Sequence, residues 1–202
     1  MWKPLAILLL VLVAVVAQGS DSSHAALVSL CDPAKIATIT AERGANPRVR
    51  KIAYWLEAAR INGQDPMAAM NSVMDAIGWG GTLKGQLTAE AMVRNRTIAE
   101  RLGCLDASGM ELLRRGSAPT ITFGPYTGQK LTVDHIIPRA VAPQLDTLLA
   151  NLEFMPAHMN FSKGAKIGQR QVDLAAKLFE AGVLSSGERD LIQNRSPAGY
   201  AR

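Results

Sequence analysis

The chain has 202 residues, 48% of them apolar and 5% aromatic, which supports one core of ordinary size built mainly from aliphatic and methionine side chains. The formal net charge of +5 suits a polyanionic partner such as nucleic acid, although many soluble proteins are mildly basic. Because the chain has two cysteines and no C-x-x-C motif, a four-cysteine structural zinc site is excluded.

The first apolar segment is typical of an export signal. After Lys3 an apolar run covers residues 5–17, which is shorter than the roughly 20 residues that a membrane span requires. We therefore expect a signal peptide over residues 1–19, a mature chain that begins between residues 18 and 27, and export to the periplasm or secretion. An uncleaved anchor is the alternative. The polar residues 18–24 are expected to be disordered.

The two cysteines, Cys31 and Cys104, fall in the part that is expected to be exported. In an oxidising compartment a disulfide between them would close a long loop and stabilise the fold by roughly 2–4 kcal/mol. Two unpaired buried thiols are the alternative, and the sequence favours neither.

Helical patterns dominate residues 20–117, which we interpret as a helical N-terminal region. Helices are expected to begin at Asn46, at Pro66 after the Asp65 cap, at Thr88 and in the capping box at residues 108–111. A glycine-rich loop is expected over residues 78–85, and residues 25–40 show no clear pattern. No residue set in this region is suited to chemistry, so its expected role is to brace the rest of the chain.

At Pro119 the spacing of the apolar residues changes from that of a helix to the alternation of a strand. Residues 120–123 and 130–133 alternate as strands around a glycine-proline turn, which predicts a β-hairpin. The second strand ends in Asp134 and His135, and Pro138 stops it because proline cannot continue the hydrogen-bond ladder. Both polar groups would lose hydration at the end of a buried strand, so the pair is better explained as a functional site than as core.

Residues 139–152 are expected to form a loop or a short helical excursion. A helix is expected to begin near Pro156 and to carry His158, Asn160 and Lys163. Two further helices are expected, one ending at residue 182 and one starting in the box at residues 185–188. The expected fold is therefore α+β and mostly helical, with a hairpin-loop-helix unit and C-terminal helices in residues 118–202.

The order of Asp134-His135, Asn151 and Asn160 resembles the HNH endonucleases, also called ββα-metal nucleases. The match covers residues 127–166, about a fifth of the chain, and several elements occur in the right order. The resemblance implies a hairpin, a loop and one helix around a divalent cation, and hydrolysis of phosphodiester bonds in DNA or RNA. Asn160 stands where other members have histidine. Asparagine is a common variant there, and it makes a softer metal less expected.

The resemblance also implies a role for each of these residues. His135 would be the general base, because imidazole accepts a proton near neutral pH. Asp134 and Asn160 would hold the cation, which we expect to be Mg²⁺, with Mn²⁺ or another divalent ion as alternatives. Asn151 would hold the loop behind His135 and so orient the base.

Four more residues are candidates for the site. Lys163 lies on the helical face of Asn160 and is expected to bind a substrate phosphate, as are Arg139 and Lys166. His158 is either an additional metal ligand or a surface or supporting residue.

Two other functions remain open at this point. One is an exported module that binds nucleic acid on the same scaffold without cutting it. The other is an exported helical interaction protein with incidental histidines, which would bind neither metal nor DNA. Since no zinc finger or helix-turn-helix is apparent, the expected contact with DNA is through phosphates and has weak sequence specificity.

Overall fold

The computed structural model describes residues 22–196. The predicted signal peptide and the last six residues lie outside the described residues. In the described range the chain is mostly helical with a small antiparallel sheet, in agreement with the predicted α+β class. None of the helices in this range combines the length and the apolar character that crossing a membrane requires.

The secondary structure consists of a run of helices, a strand, a long loop, a second strand and three more helices. In chain order these are α1 (residues 22–31), α2 (Pro33–Ala37), α3 (Asn46–Ile61), α4 (Pro66–Ala76), α5 (Leu83–Arg101), α6 (Ala107–Arg115), β1 (Leu131–His135), β2 (Leu152–Pro156), α7 (Ala157–Lys163), α8 (Gln169–Glu180) and α9 (Ser186–Gln193). The predicted caps of α4 and α9 are confirmed. Asp65 accepts from the Ala68 amide, and Ser185 forms a capping box with Glu188.

The expectation of disorder over residues 18–24 is wrong from residue 22 onward, because residues 22–31 are helical. Ser23, Leu27 and Cys31 lie at helical spacing and are all buried. The helix is fixed by packing against the core, which the local composition does not reveal.

Two helix starts differ from the prediction. The Thr82 hydroxyl caps α5 by accepting from the Gly85 amide at 3.1 Å, so this helix begins well before Thr88. A Cβ at Gly85 would lie 2.2 Å from the Trp79 carbonyl oxygen, so this close backbone approach requires glycine inside the first turn. The cap of α6 is Asp106, which lies just before the predicted box.

The prediction that residues 120–123 form the partner strand of β1 is wrong. β1 pairs antiparallel with β2, and His135 lies opposite Leu152. The alternating residues 120–123 contribute a single bridge, between Thr120 and Lys130. β2 was not predicted, because four of its five residues are buried and it therefore lacks the alternation that indicates a strand.

The sheet is held in place by α5. The Asn95 side chain donates to the Leu152 carbonyl at 2.9 Å and accepts from the Phe154 amide at 2.8 Å. It thus satisfies the backbone groups of β2 that do not face β1, and a buried strand edge requires such a partner. One apolar cluster extends from the helical region to both strands, and a second includes residues of the loop between the strands, α8 and α9.

Cys31 and Cys104 are free thiols in this structure, so the geometry agrees with the alternative of two unpaired buried cysteines. Burial raises the pKa of Cys31 to about 12, and burial followed by the nearby Asp106 charge raises the pKa of Cys104 to about 11. Both thiols are therefore protonated and unreactive at neutral pH.

Candidate functional site

A pocket of about 440 Å³ lies where the end of β1 meets α7. Its lining contains three of the predicted site residues, Asp134, His135 and Asn160. Two arginines also line it: Arg139 from the loop that follows β1, and Arg43 from the turn between α2 and α3. The fold therefore brings the Asp-His pair and the downstream asparagine to one cavity.

His135 is buried, with 5% of its surface exposed, and one ring nitrogen is already engaged. Its Nε2 lies 3.1 Å from the backbone oxygen of Asp146. Since a carbonyl oxygen can only accept, Nε2 carries the proton and donates. In the neutral ring Nδ1 is then the nitrogen that can accept a proton, and it has no hydrogen-bond partner within residues 22–196.

The side chain of Asp146 also contacts the histidine. Its Oδ1 lies 2.8 Å from His135 Nε2, and this buried oxygen has no other partner in the described part of the chain. Its Oδ2 accepts from the backbone amide of Arg43 at 3.1 Å. The Nε2–H group of His135 therefore lies against both the backbone carbonyl and the carboxylate of Asp146.

Asn151 is fully buried and ties the exit of β1 to the loop before β2. Its oxygen accepts from the Ile137 amide at 2.8 Å, and its nitrogen donates to the Ile137 carbonyl at 3.0 Å. Its own backbone carbonyl accepts from Ile136. The backbone directly after His135 is thereby fixed from both sides.

Lys163 is engaged with the Asp-His pair. Its ammonium lies 2.5 Å from Asp134 Oδ2 and also donates to the backbone carbonyl of His135. Only 15% of the Lys163 side chain is exposed, and it does not line the pocket that contains His135. In this structure its charge neutralises Asp134.

The donor set of the pocket fits a hard divalent cation. Asn160 Nδ2 donates to Thr132 Oγ1 at 3.0 Å, which leaves the amide oxygen without a partner among the described residues. Asp134 Oδ1 is likewise not used by the ion pair with Lys163. One carboxylate and one amide oxygen suit Mg²⁺, which keeps several waters. No group of three or more His, Cys, Asp or Glu side chains is gathered for metal binding anywhere in residues 22–196.

The remaining predicted residues lie at different places. Arg139 lines the pocket, and its guanidinium forms an ion pair with Glu42 at 2.6 Å. His158 is exposed and outside the pocket lining, and its backbone amide donates to Gln129. Lys166 is exposed and lines a second pocket together with Lys163.

Sequence reasoning missed three residues at this site: Asp146, Arg43 and Phe161. Phe161 lines the pocket from α7 and is 90% exposed, which is unusual for a phenylalanine. Asp146 and Arg43 are 103 positions apart and carry no local motif. The single available signal was Phe161, an aromatic side chain between the polar residues Asn160 and Ser162.

Comparisons of the chain with protein-family models, with curated proteins and with solved structures found no match.

Proposed function

We propose that the chain is a metal-dependent endonuclease of the HNH type, which hydrolyses phosphodiester bonds in DNA or RNA. The observation that carries this proposal is the state of His135: Nε2 donates to the Asp146 carbonyl, and the ring lines a pocket shared with Asp134 and Asn160. A catalytic base needs a fixed ring, an unprotonated nitrogen and access to the substrate. The order of β1, β2 and α7 around this pocket also supports the resemblance to the ββα unit.

The hydrolytic step follows from the tautomer. His135 Nδ1 takes a proton from a water molecule as the water oxygen attacks phosphorus. The bond to the 3′ oxygen breaks, and that oxygen leaves with the bonding pair and takes up a proton from solvent. The ring then carries a positive charge, which the Asp146 carboxylate stabilises from 2.8 Å. Asn151 keeps the backbone beyond His135 fixed, so the ring does not reorient between turnovers.

Asp134 and Asn160 are the residues that would hold a divalent cation. When bound, the cation would neutralise phosphate charge and stabilise the departing oxygen as a Lewis acid. Lys163 holds the Asp134 carboxylate in place through its ion pair.

The proposal is tested by incubating the exported, folded protein with supercoiled plasmid in Mg²⁺ and, in parallel, in excess EDTA. Nicked and linear products in Mg²⁺, and none in EDTA, are expected. A chain that leaves plasmid, single-stranded DNA and RNA intact in both Mg²⁺ and Mn²⁺ would refute it.

One observation favours a second function. The Lys163 ammonium already neutralises Asp134, as would suit a metal-free scaffold that binds nucleic acid without cutting it. Such a module would bind DNA equally well in Mg²⁺ and in EDTA, with an affinity that falls steeply with salt. Binding without any cleavage product would favour this alternative over the nuclease.

A further inference from the structure

The turn between α2 and α3 reaches the pocket in an unusual backbone conformation. Arg43 has φ +56°, and it is the one non-glycine residue with positive φ among residues 22–196. L-residues with a long side chain seldom adopt this conformation, and it persists where the surroundings impose it. Gly44 follows directly, and a Cβ there would lie 2.4 Å from a methyl group of Ile39.

Two contacts hold this turn against the loop between β1 and β2. The Arg43 amide donates to Asp146 Oδ2, and the preceding residue, Glu42, forms the ion pair with Arg139. The hydrogen bond from Arg43 to Asp146 matters more for the site, because the Asp146 carboxylate also lies against the His135 ring. Asp146 thus connects the backbone of Arg43 with the proposed base.

The guanidinium of Arg43 is not needed by the fold. It is exposed, it lines the pocket, and it has no hydrogen bond or ion pair with any described residue. The other cations at the site are matched, since Arg139 is paired with Glu42 and Lys163 with Asp134. Arg43 is therefore the pocket-lining cation whose charge is left for a ligand.

We propose that Arg43 binds a phosphate of the nucleic-acid substrate, and that Asp146 is a positioning residue that sets Arg43 relative to the His135 ring. A guanidinium fork matches two phosphate oxygens, and a fixed backbone lowers the entropy lost on binding. This inference rests on the proposed function and extends it to the helical region, which supplies a substrate-binding residue as well as a brace.

The variant Arg43→Gly separates this role from a structural one. Glycine adopts positive φ without strain, so the turn and the Asp146 contact are kept while the guanidinium is lost. We expect a melting temperature equal to or above that of the wild type. Binding of a fluorescent oligonucleotide in EDTA should weaken about tenfold, and the salt dependence of log K should lose about one unit of slope.

Two more variants complete the test. Arg43→Lys should recover part of the affinity, since it restores the charge without the fork. Arg101→Ala is the matched control, because Arg101 is an exposed arginine in the last turn of α5 outside the pocket lining, and it should bind as the wild type does.

Asp146→Asn tests the connection between the two residues. It should weaken oligonucleotide binding when Arg43 is present, and it should cause no further loss of binding when it is combined with Arg43→Gly. Single-turnover cleavage should be slower in both backgrounds. If wild type cuts and Arg43→Gly binds and cuts equally well, this inference is wrong and the nuclease proposal stands. A wild type that neither binds nor cuts would overturn both.

Discussion

Two clusters of polar side chains, one between α3 and α5 and one at the pocket, differ in how completely their members are paired. In the helical region Glu57 and Arg96 are almost fully buried, and they form an ion-pair cluster with Arg60 and Glu100. Every charge in this cluster faces an opposite charge within hydrogen-bonding distance. Around the pocket, the Nδ1 atom of His135 and the amide oxygen of Asn160 have no hydrogen-bond partner among the described residues.

The difference distinguishes structural from functional burial. A buried ion pair whose members are mutually satisfied fixes the packing of α3 against α5, and it has no capacity left for a ligand. At the pocket, a hydrogen bond orients His135 and another orients Asn160, and each of these lining residues keeps one polar atom without a partner among the described residues. Residues that are held on one side only are the ones suited to binding and catalysis.

The largest expected effect on stability is in the helical cluster. Glu57→Gln removes the carboxylate that faces two arginines, and leaves Arg96 buried with Glu100 as its remaining partner, which should cost about 3 kcal/mol of unfolding free energy. Glu111, whose side chain is 40% exposed and pairs with two arginines of α6, is the matched control. Glu111→Gln should change the unfolding free energy far less than Glu57→Gln does, because solvent screens its ion pairs.

Urea unfolding measures both changes, and plasmid cleavage by each variant should remain at the wild-type rate below its melting transition. If Glu57→Gln abolished cleavage without loss of stability, the division between the two regions would fail.

The Glu57 carboxylate is also expected to make the stability of the protein sensitive to acid. Burial acts to raise the pKa of Glu57, but hydrogen bonds from Arg60 and Arg96 and their charges outweigh it and hold that pKa below its ordinary 4.5. A group whose pKa is lower in the folded state contributes stability above its unfolded pKa and loses it as the pH falls through the folded value.

Urea unfolding between about pH 6 and pH 3 should therefore show a loss of stability below about pH 4.5 that is smaller in Glu57→Gln. Identical pH profiles for the two proteins would contradict this assignment.

The metal donors are the next test. Asp134→Ala and Asn160→Ala should each weaken Mg²⁺ binding at least about tenfold, because each removes one of two protein oxygens. Calorimetric titration measures the affinity, and His158→Ala serves as the control because that side chain is exposed outside the pocket lining. Unchanged binding in both donor variants would remove these residues from the site.

The smallest expected effect concerns Lys163. Lys163→Met removes the ammonium from Asp134, so Mg²⁺ should bind about twofold to fivefold more tightly, as the loss of a competing ion pair worth up to about 1 kcal/mol implies. The earlier expectation of a phosphate contact predicts instead that the salt slope of DNA binding falls by about one unit. Titrations of the same variant with Mg²⁺ and with oligonucleotide distinguish the two roles.

Whether a residue of this site can be predicted from the sequence depends on how far apart in the chain its contacting residues lie. Asp134 and His135 could be placed at the end of β1 because apolar alternation and Pro138 are local signals. β2 could not be predicted, since Glu153 is buried by its ion pair with Arg170 and the strand therefore lacks a polar face. The role of Arg43 could not be predicted either. Its position depends on the hydrogen bond to Asp146, which exists only after the helical region packs against the loop between β1 and β2.

The most direct test of the proposed mechanism is the single-turnover cleavage rate of His135→Ala at saturating Mg²⁺. Removing a general base lowers the rate by about 10²–10⁴-fold. Because Asp134 and Asn160 remain, Mg²⁺ binding by this variant should stay within about twofold of the wild type. The account predicts that combination of lost cleavage and retained metal binding. A His135→Ala protein that cuts DNA as fast as the wild type would contradict it.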